Sequence, residues 1–243
     1  NCSLKEKTTI NSFKNTFHNV LIKDNIILYA GSDIKETLLF GNFINNTNEE
    51  IHWYVCGLGF QKRDMDYYYM NQSDWDLLVR KNNFDLSTLN GHFALVLVKN
   101  NSIYCYTDSL GVRNIYIYKD TERTFFTTEL HLLPQFVNNL ELNIDTFCTH
   151  WLLDNSLSQE SLISNTIRLT SSGKAVISYG GIDYSIKLWS PIIDGNKSQN
   201  DIIENLTQLI NIKNFSFDKL SFSLSGGFDS RFLLALMYSK AKL

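Results

Sequence analysis

The sequence predicts an α+β domain built from antiparallel strands, followed by the start of an α/β unit. In the first part, short apolar segments alternate with turns of Asn, Asp and Gly, which is typical of β-hairpins. After residue 201, apolar side chains recur every three or four positions, as on one face of a helix. Another apolar segment, a glycine turn and a second helical pattern then follow. The polar stretch 190–200 is the predicted boundary between the two parts.

The N-terminal part contains three predicted elements. Residues 21–30 are expected to form two short strands or a hairpin, and residues 52–60 a strand that runs into a turn at its glycines. Residues 74–81 suit a short helix, because Ser73 is a good N-cap.

The central part predicts a succession of strands. Residues 93–98 are a continuous apolar run, which is typical of a strand buried on both faces. Asn100 and Asn101 supply the turn to the next strand. The other elements expected here are strands at 102–107, 115–119 and 124–128, a helix at 145–153, and a hairpin of 174–178 with 184–188 across Gly180 and Gly181.

The C-terminal part predicts the order helix, strand, helix. Ser198 and Asp201 occupy the positions of a capping box, so they indicate the start of a helix that ends near Ile210. A strand at 220–224 is expected to lead into the glycine turn, and a helix at 231–242 to follow it.

Composition excludes several classes of protein. The chain has 243 residues, of which 44% are hydrophobic and 19% charged, so it can bury a core of its own. The net charge of −3 argues against binding to nucleic acid through bulk positive charge. No apolar run approaches the length of a membrane span, and no charged-then-apolar leader opens the sequence. We therefore expect a cytoplasmic protein without nucleic-acid or membrane partners.

The cysteines and histidines do not predict a metal site. Cys2, Cys56, Cys105 and Cys148 lie far apart and form no C-x-x-C pair, so reduced thiols are expected. The five histidines have no spacing that is typical of zinc ligands.

The glycine turn is the feature most typical of a binding site. It is the segment Ser225-Gly226-Gly227-Phe228-Asp229-Ser230, placed between the predicted strand and the last helix. Glycines let the backbone approach a ligand closely, and free N–H groups at a helix start favour an anion. The segment matches neither a Walker A loop nor the Rossmann G-x-G-x-x-G pattern. A phosphate site is the prediction, and an ordinary turn is the alternative.

This turn resembles the S-G-G-x-D-S pyrophosphate loop of the N-type ATP pyrophosphatases. The order of further motifs is similar to the asparagine synthetase family, over residues 74–243. These motifs are L-N-G-x-F-A at 89–94, D-x-x-G-x-R-x-x-Y at 108–116, F-x-x-x-E-x-x-x-L at 125–133, the turn 167–173 that ends in Gly, and L-W-x-P at 188–191. The resemblance also implies that Asp108 and Glu129 belong to the scaffold.

The resemblance implies two domains. Residues 1–192 would form a class II glutamine amidotransferase-like domain with the Ntn-hydrolase fold, an αββα sandwich. Residues 193–243 would begin a truncated α/β PP-loop (Rossmann-like) synthetase domain, in which ATP with Mg²⁺ activates a carboxylate and pyrophosphate leaves. Leu224 would offer its backbone to the nucleotide. The residues expected to hold the pyrophosphate part of ATP are Ser225, Gly226, Gly227, Asp229 and Ser230.

The implied glutaminase site is degenerate in this sequence. The family uses an N-terminal cysteine, whereas Cys2 is the second residue here and no R-G-P-D segment is present. Gly57 and Asp74 match two residues that contact glutamine in the family, but Cys56 stands where the family has Asn. In another alignment, residues 56–60 would become the N-terminus after cleavage before Cys56. A buried structural thiol is the third interpretation of that cysteine.

Several functions are therefore hypotheses. The first is a ligase that uses ammonia or an amine, and the second a glutamine-hydrolysing asparagine synthase whose start is missing or processed. A non-catalytic paralogue that acts as a binding subunit is the third, and a tRNA-modifying pyrophosphatase the fourth. The expected partners are a small carboxylate with ammonia, glutamine or an amine, and a homodimer is considered. Because the chain starts at Asn1 and stops at Leu243, we expect a fragment that is inactive in isolation.

Overall fold

The computed structural model describes residues 19–23, 26–31, 37–64, 66–81, 85–121, 123–154, 158, 160–187, 198–214 and 223–241. The strands in these ranges are β1 (Asn19–Lys23), β2 (Ile26–Ala30), β3 (Leu38–Ile44), β4 (Glu50–Arg63), β5 (Asp66–Tyr69), β6 (Leu89–Lys99), β7 (Ser102–Thr107), β8 (Ile115–Lys119), β9 (Thr124–Thr127), β10 (Thr166–Leu169), β11 (Lys174–Ser178) and β12 (Gly181–Ser185). The α-helices are α1 (Gln72–Val79), α2 (Leu133–Phe136), α3 (Ile144–Leu153), α4 (Gln199–Ile210) and α5 (Phe228–Ala241).

The strands form one large sheet, one small sheet and a separate hairpin. The large sheet has the order β12-β11-β7-β6-β4-β3, with β5 paired to the far end of β4. The small sheet has the order β10-β8-β9, and β1 pairs with β2. The pairings between these strands are antiparallel, as the hairpin pattern of the sequence predicts.

Two hydrophobic cores lie on opposite faces of the large sheet. Strand β6 contributes side chains to both cores, because alternate residues of a strand point to opposite faces of the sheet. Ala94 and Val96 join a core with Ile115 and Ile117 of the small sheet. Phe93 and its neighbours on the other face pack with residues of α1. The apolar run 93–98 is therefore buried on both faces, as predicted, and the layers are helix, sheet and sheet.

Most predicted elements are present, and several have different limits. The strand predicted at 52–60 continues to Arg63 instead of turning at its glycines. The helix predicted at 74–81 begins at Gln72, because Asn71 rather than Ser73 is the N-cap: its side chain accepts hydrogen bonds from two helical N–H groups. The second strand of the last hairpin begins at Gly181, so the turn is shorter than predicted.

The C-terminal part agrees with the prediction for its first helix. Ser198 and Asp201 form the predicted capping box of α4. The last helix, α5, begins at Phe228, three residues before the predicted start. Ser223 and Leu224 are not in a strand, so the predicted strand 220–224 is wrong at these two positions, and its other residues lie outside the described ranges. The predicted boundary at 192/193, Cys2 and the motif at 188–191 also lie outside them.

The segment after α4 connects this part to the large sheet. The N–H of Lys213 donates to the carbonyl oxygen of Tyr67 at 2.8 Å, and the N–H of Tyr69 donates to that of Lys213 at 3.0 Å. Lys213 thereby forms a parallel bridge to the edge strand β5. Among the described helices, none is both long and apolar enough to cross a membrane.

Candidate functional site

The glycine turn precedes α5, as the sequence predicts, and is held together by its two serines. The Oγ atoms of Ser225 and Ser230 lie 3.0 Å apart. The Ser230 hydroxyl donates to the carbonyl oxygen of Ser225 at 2.9 Å, and the N–H of Gly227 donates to Ser225 Oγ at 3.2 Å. Both hydroxyls of the candidate site are thus brought together at the start of a 14-residue helix.

The turn is open to solvent on the side that a ligand would approach. A Cβ placed on Gly226 would have no other atom within 4 Å. Leu224 and Phe228, on either side of the glycines, are exposed. The first N–H groups of a helix such as α5 have no partner within the helix and favour an anion. Asp229 lies in the first helical turn, where a carboxylate stabilises the helix start. Exposed glycines, two hydroxyls and a helix start are compatible with a phosphate site, which stays a prediction.

The residues matched to a glutamine site are both engaged in the structure. Asp74 Oδ2 accepts a hydrogen bond from the N–H of Asn71 at 3.1 Å, which closes the capping box of α1. Asp74 Oδ1 is bound by Nη2 of Arg63 at 2.8 Å. Gly57 lies within β4 opposite Phe93 of β6 and has a φ of 111°. The fold therefore explains the presence of Asp74 and Gly57 without any contact to a ligand.

Cys56 occupies the middle of β4, between strand partners on both sides. It pairs with Leu38 of β3 and with Ala94 of β6. Cleavage before Cys56, as one alignment requires, would cut this central strand. Burial raises the pKa of the Cys56 thiol, and Glu129 raises it further, while Arg113 acts in the opposite direction. The thiol is therefore protonated at neutral pH, which does not suit a nucleophile.

Two residues beside Cys56 were not recognised as site candidates in the sequence. Nη1 of Arg113 donates to Cys56 Sγ at 3.4 Å. His92 is the diagonal strand neighbour of Cys56, because it pairs with Leu58. Burial lowers the pKa of His92, and Arg113 lowers it further, so the imidazole is neutral. These residues are distant in sequence, and only the pairing register brings them together. No group of three or more metal-ligating side chains occurs within the part of the chain that the structure describes.

Alkylation should distinguish the described cysteines. At pH 8, iodoacetamide is expected to modify exposed Cys148 first and half-buried Cys56 more slowly. Cys105 should react only after unfolding, because burial raises its pKa to about 12. Since the thiolate is the nucleophile, the rate at Cys56 should rise about tenfold per pH unit through pH 9. Site-resolved mass spectrometry measures these rates, and a plateau for Cys56 below pH 8 would instead reveal an activated thiolate.

The comparisons with known proteins do not assign a family. No protein family model matches the chain, and no curated protein matches it. Two solved structures are similar to 60% of the chain, at 11% identity. One is described as the allosteric regulatory enzyme of purine biosynthesis, with a TM-score of 0.36. The other is glutamine phosphoribosylpyrophosphate amidotransferase from B. subtilis in complex with ADP and GMP, with a TM-score of 0.35.

The chain spans only 30% and 31% of the length of these two proteins. At TM-scores this low, the similarity carries no argument about fold or function. Only the geometry of the glycine turn therefore supports the candidate phosphate site.

Proposed function

We propose that the chain belongs to an ATP-dependent amide-forming ligase of the asparagine synthetase kind. In such an enzyme ATP activates a carboxylate, pyrophosphate leaves, and ammonia or an amine attacks the activated carbonyl. The observation that supports this proposal is the glycine turn before α5, with two serine hydroxyls 3.0 Å apart and open space at Gly226. A helix start with adjacent hydroxyl donors suits a pyrophosphate group.

Each residue of the turn has a role in this proposal. The hydroxyls of Ser225 and Ser230 would exchange their contacts within the turn for hydrogen bonds to phosphate oxygens. Gly226 and Gly227 would let the backbone approach those oxygens, and Leu224 would offer its backbone to the nucleotide. Asp229 would keep the helix start in place. Mg²⁺ that arrives with the nucleotide would neutralise phosphate charge.

Ammonia or an amine is the proposed nitrogen donor. Both carboxylate oxygens of Asp74 are already bound, one by Asn71 and one by Arg63. The thiol at Cys56 stands where the family has an amide, so it offers only a weak donor to an oxyanion. A full chain that releases glutamate from glutamine at rates typical of amidotransferases would favour the glutamine-hydrolysing alternative.

Replacing Gly226 with alanine is expected to reduce carboxylate-dependent exchange between ATP and pyrophosphate by about a hundredfold. The added methyl group meets no protein atom, so the fold should be unchanged, but it occupies the space through which a phosphate approaches. Misplacing a reacting group by about 1 Å costs a factor of this size. The measurement is isotope exchange in the full chain as the cell makes it, with a panel of amino-acid carboxylates that includes aspartate.

The matched control is Gly180→Ala. A Cβ at Gly180 has Ser178 Oγ as its nearest neighbour at 3.8 Å, so this position is also open, but it lies in the β11–β12 turn. We expect exchange and the midpoint of thermal unfolding to be unchanged in this variant. Equal exchange in the two variants would exclude the glycine turn as the pyrophosphate site. Absence of exchange with every carboxylate in the native chain would refute the ligase proposal.

A further inference from the structure

Arg113 is a half-buried cation without a carboxylate partner. Its guanidinium makes one hydrogen bond, from Nη1 to Cys56 Sγ, and no carboxylate of the described residues lies within 4 Å of it. The buried Nε atom has no hydrogen-bond partner, and neither has the buried Oδ1 atom of the adjacent Asn114. Polar atoms in such surroundings are normally paired, because an unpaired buried group costs free energy. The Arg113 guanidinium therefore keeps donors with which a carboxylate can pair.

The position of Arg113 is fixed by a rigid turn. Asp108 accepts hydrogen bonds from the N–H groups of Leu110, Val112 and Arg113 at 2.9–3.1 Å. Because these bonds involve both carboxylate oxygens, Asp108 is committed to the turn. The guanidinium is thereby held beside Cys56 before any ligand arrives, and such preorganisation lowers the entropic cost of binding.

The charges around Arg113 favour a ligand with a single negative charge. His92, the diagonal neighbour of Cys56, is neutral because burial and Arg113 both lower its pKa. The negative charges of Asp108 and Glu129 act on His92 and Cys56 respectively, which disfavours a polyanion such as a phosphate ester. A planar guanidinium matches a carboxylate in two parallel hydrogen bonds.

Two apolar side chains of the turn that carries Arg113 are exposed. Leu110 and Val112, in the same turn as Arg113, are exposed by 58% and 61%. Their side chains can cover the aliphatic part of a small molecule whose charged end reaches the guanidinium. We propose that Arg113, beside Cys56 and His92, is a binding site for a small aliphatic carboxylate. This site is separate from the glycine turn, so the ligase proposal stands or falls independently of it.

Cys56 provides a direct test, because it lies within hydrogen-bond distance of Arg113. Iodoacetate carries a carboxylate, whereas iodoacetamide is its neutral analogue. With either reagent the Cys56 thiolate displaces iodide: an S–C bond forms, the C–I bond breaks, and the thiol proton passes to solvent. Both rates depend on the same thiolate fraction, which cancels in their ratio. The ratio therefore measures how much the carboxylate of iodoacetate favours the reaction at that cysteine. Mass spectrometry of the full chain gives this ratio separately for Cys56 and for exposed Cys148.

We expect the ratio of iodoacetate to iodoacetamide rates to be about tenfold higher at Cys56 than at Cys148, from a charge-assisted hydrogen bond. Arg113→Gln should bring the ratio at Cys56 down to that at Cys148. Arg113→Lys should give an intermediate ratio, since it keeps the charge but loses the planar fork. The control variant is Arg123→Gln, which removes a cation from an exposed turn where it pairs with Asp120. This control should leave the ratio at Cys56 unchanged.

A second measurement needs no variant and therefore does not depend on whether Arg113→Gln folds. Sodium acetate should slow the reaction of Cys56 with iodoacetamide, whereas acetamide in sodium chloride of the same ionic strength should not. Cys148 should be unaffected by either solution. If acetate and acetamide protect Cys56 equally, or if its rate ratio equals that of Cys148 in the native chain, Arg113 is not a carboxylate site.

Discussion

Replacing Gly57 with alanine is expected to lower the free energy of unfolding by about 2–6 kcal/mol. Gly57 has a φ of 111°, where a residue with a Cβ is strained by roughly 1–3 kcal/mol. The added Cβ would also overlap the carbonyl oxygen of His92 in β6, and overpacking costs roughly 1–3 kcal/mol. Because β6 is paired with β4 continuously from Leu89 to Val98, the His92 carbonyl cannot move away freely. Urea denaturation measures the change.

Gly181→Ala is the matched control for this prediction. Gly181 has a φ of 138°, but a Cβ there would have no neighbour within 4 Å. This variant should therefore show the cost of backbone strain without the overlap, about 1–3 kcal/mol. If both variants lose the same free energy, the strands separate easily at Gly57 and the overlap is relieved. A larger loss in Gly57→Ala shows that the overlap with β6 adds to the backbone strain at this position.

The glycines of β4 also explain where prediction from the sequence failed. Gly57 and Gly59 were interpreted as the start of a turn, because glycine is common in turns. In the structure they lie within a 14-residue strand. A Cβ at Gly59 would overlap the ring of Trp75, which packs on the strand from α1. Glycine is needed here for close packing, and that requirement depends on a helix that comes later in the sequence.

Local signals predicted most of the other elements. The capping box of Ser198 and Asp201 lies within one helical turn and is present in the structure. Asn100 and Asn101 form the turn between β6 and β7 with positive φ angles, as an Asn-Asn hairpin requires. The predicted N-cap of α1, Ser73, was wrong, because Asn71 and Ser73 are both good N-cap residues and the choice depends on which N–H groups the side chain reaches.

The glycine turn and the site at Arg113 also differ in whether the sequence alone could predict them. The glycine turn is contiguous in sequence, so its position before a helix could be predicted. The contact between Cys56 and Arg113 joins residues 57 positions apart. It depends on the pairing of β4 with β6 and on the turn that precedes β8. No periodicity or spacing in the sequence specifies that contact, and only the folded chain reveals it.

Asp108→Ala is expected to lower the free energy of unfolding by about 3–5 kcal/mol. The side chain is almost completely buried and accepts three backbone hydrogen bonds, from Leu110, Val112 and Arg113. Alanine would leave these N–H groups without their acceptor, and each lost partner costs roughly 1–3 kcal/mol if the turn cannot rearrange. Asp108→Asn keeps the size and one acceptor oxygen, so it should lose less. Chemical denaturation of both variants measures the difference.

The control is Asp120→Ala, in the turn between β8 and β9. Asp120 also accepts a backbone hydrogen bond, from the N–H of Arg123 at 2.7 Å, but a quarter of its side chain is open to solvent, whereas Asp108 is almost completely buried. Water can replace the lost acceptor there, so we expect a cost near 1 kcal/mol. Equal losses at the two positions would mean that the turn 108–113 relaxes without Asp108. In that case Asp108 would not be the residue that holds Arg113 beside Cys56, and the ratio of iodoacetate to iodoacetamide rates at Cys56 should remain unchanged in Asp108→Ala.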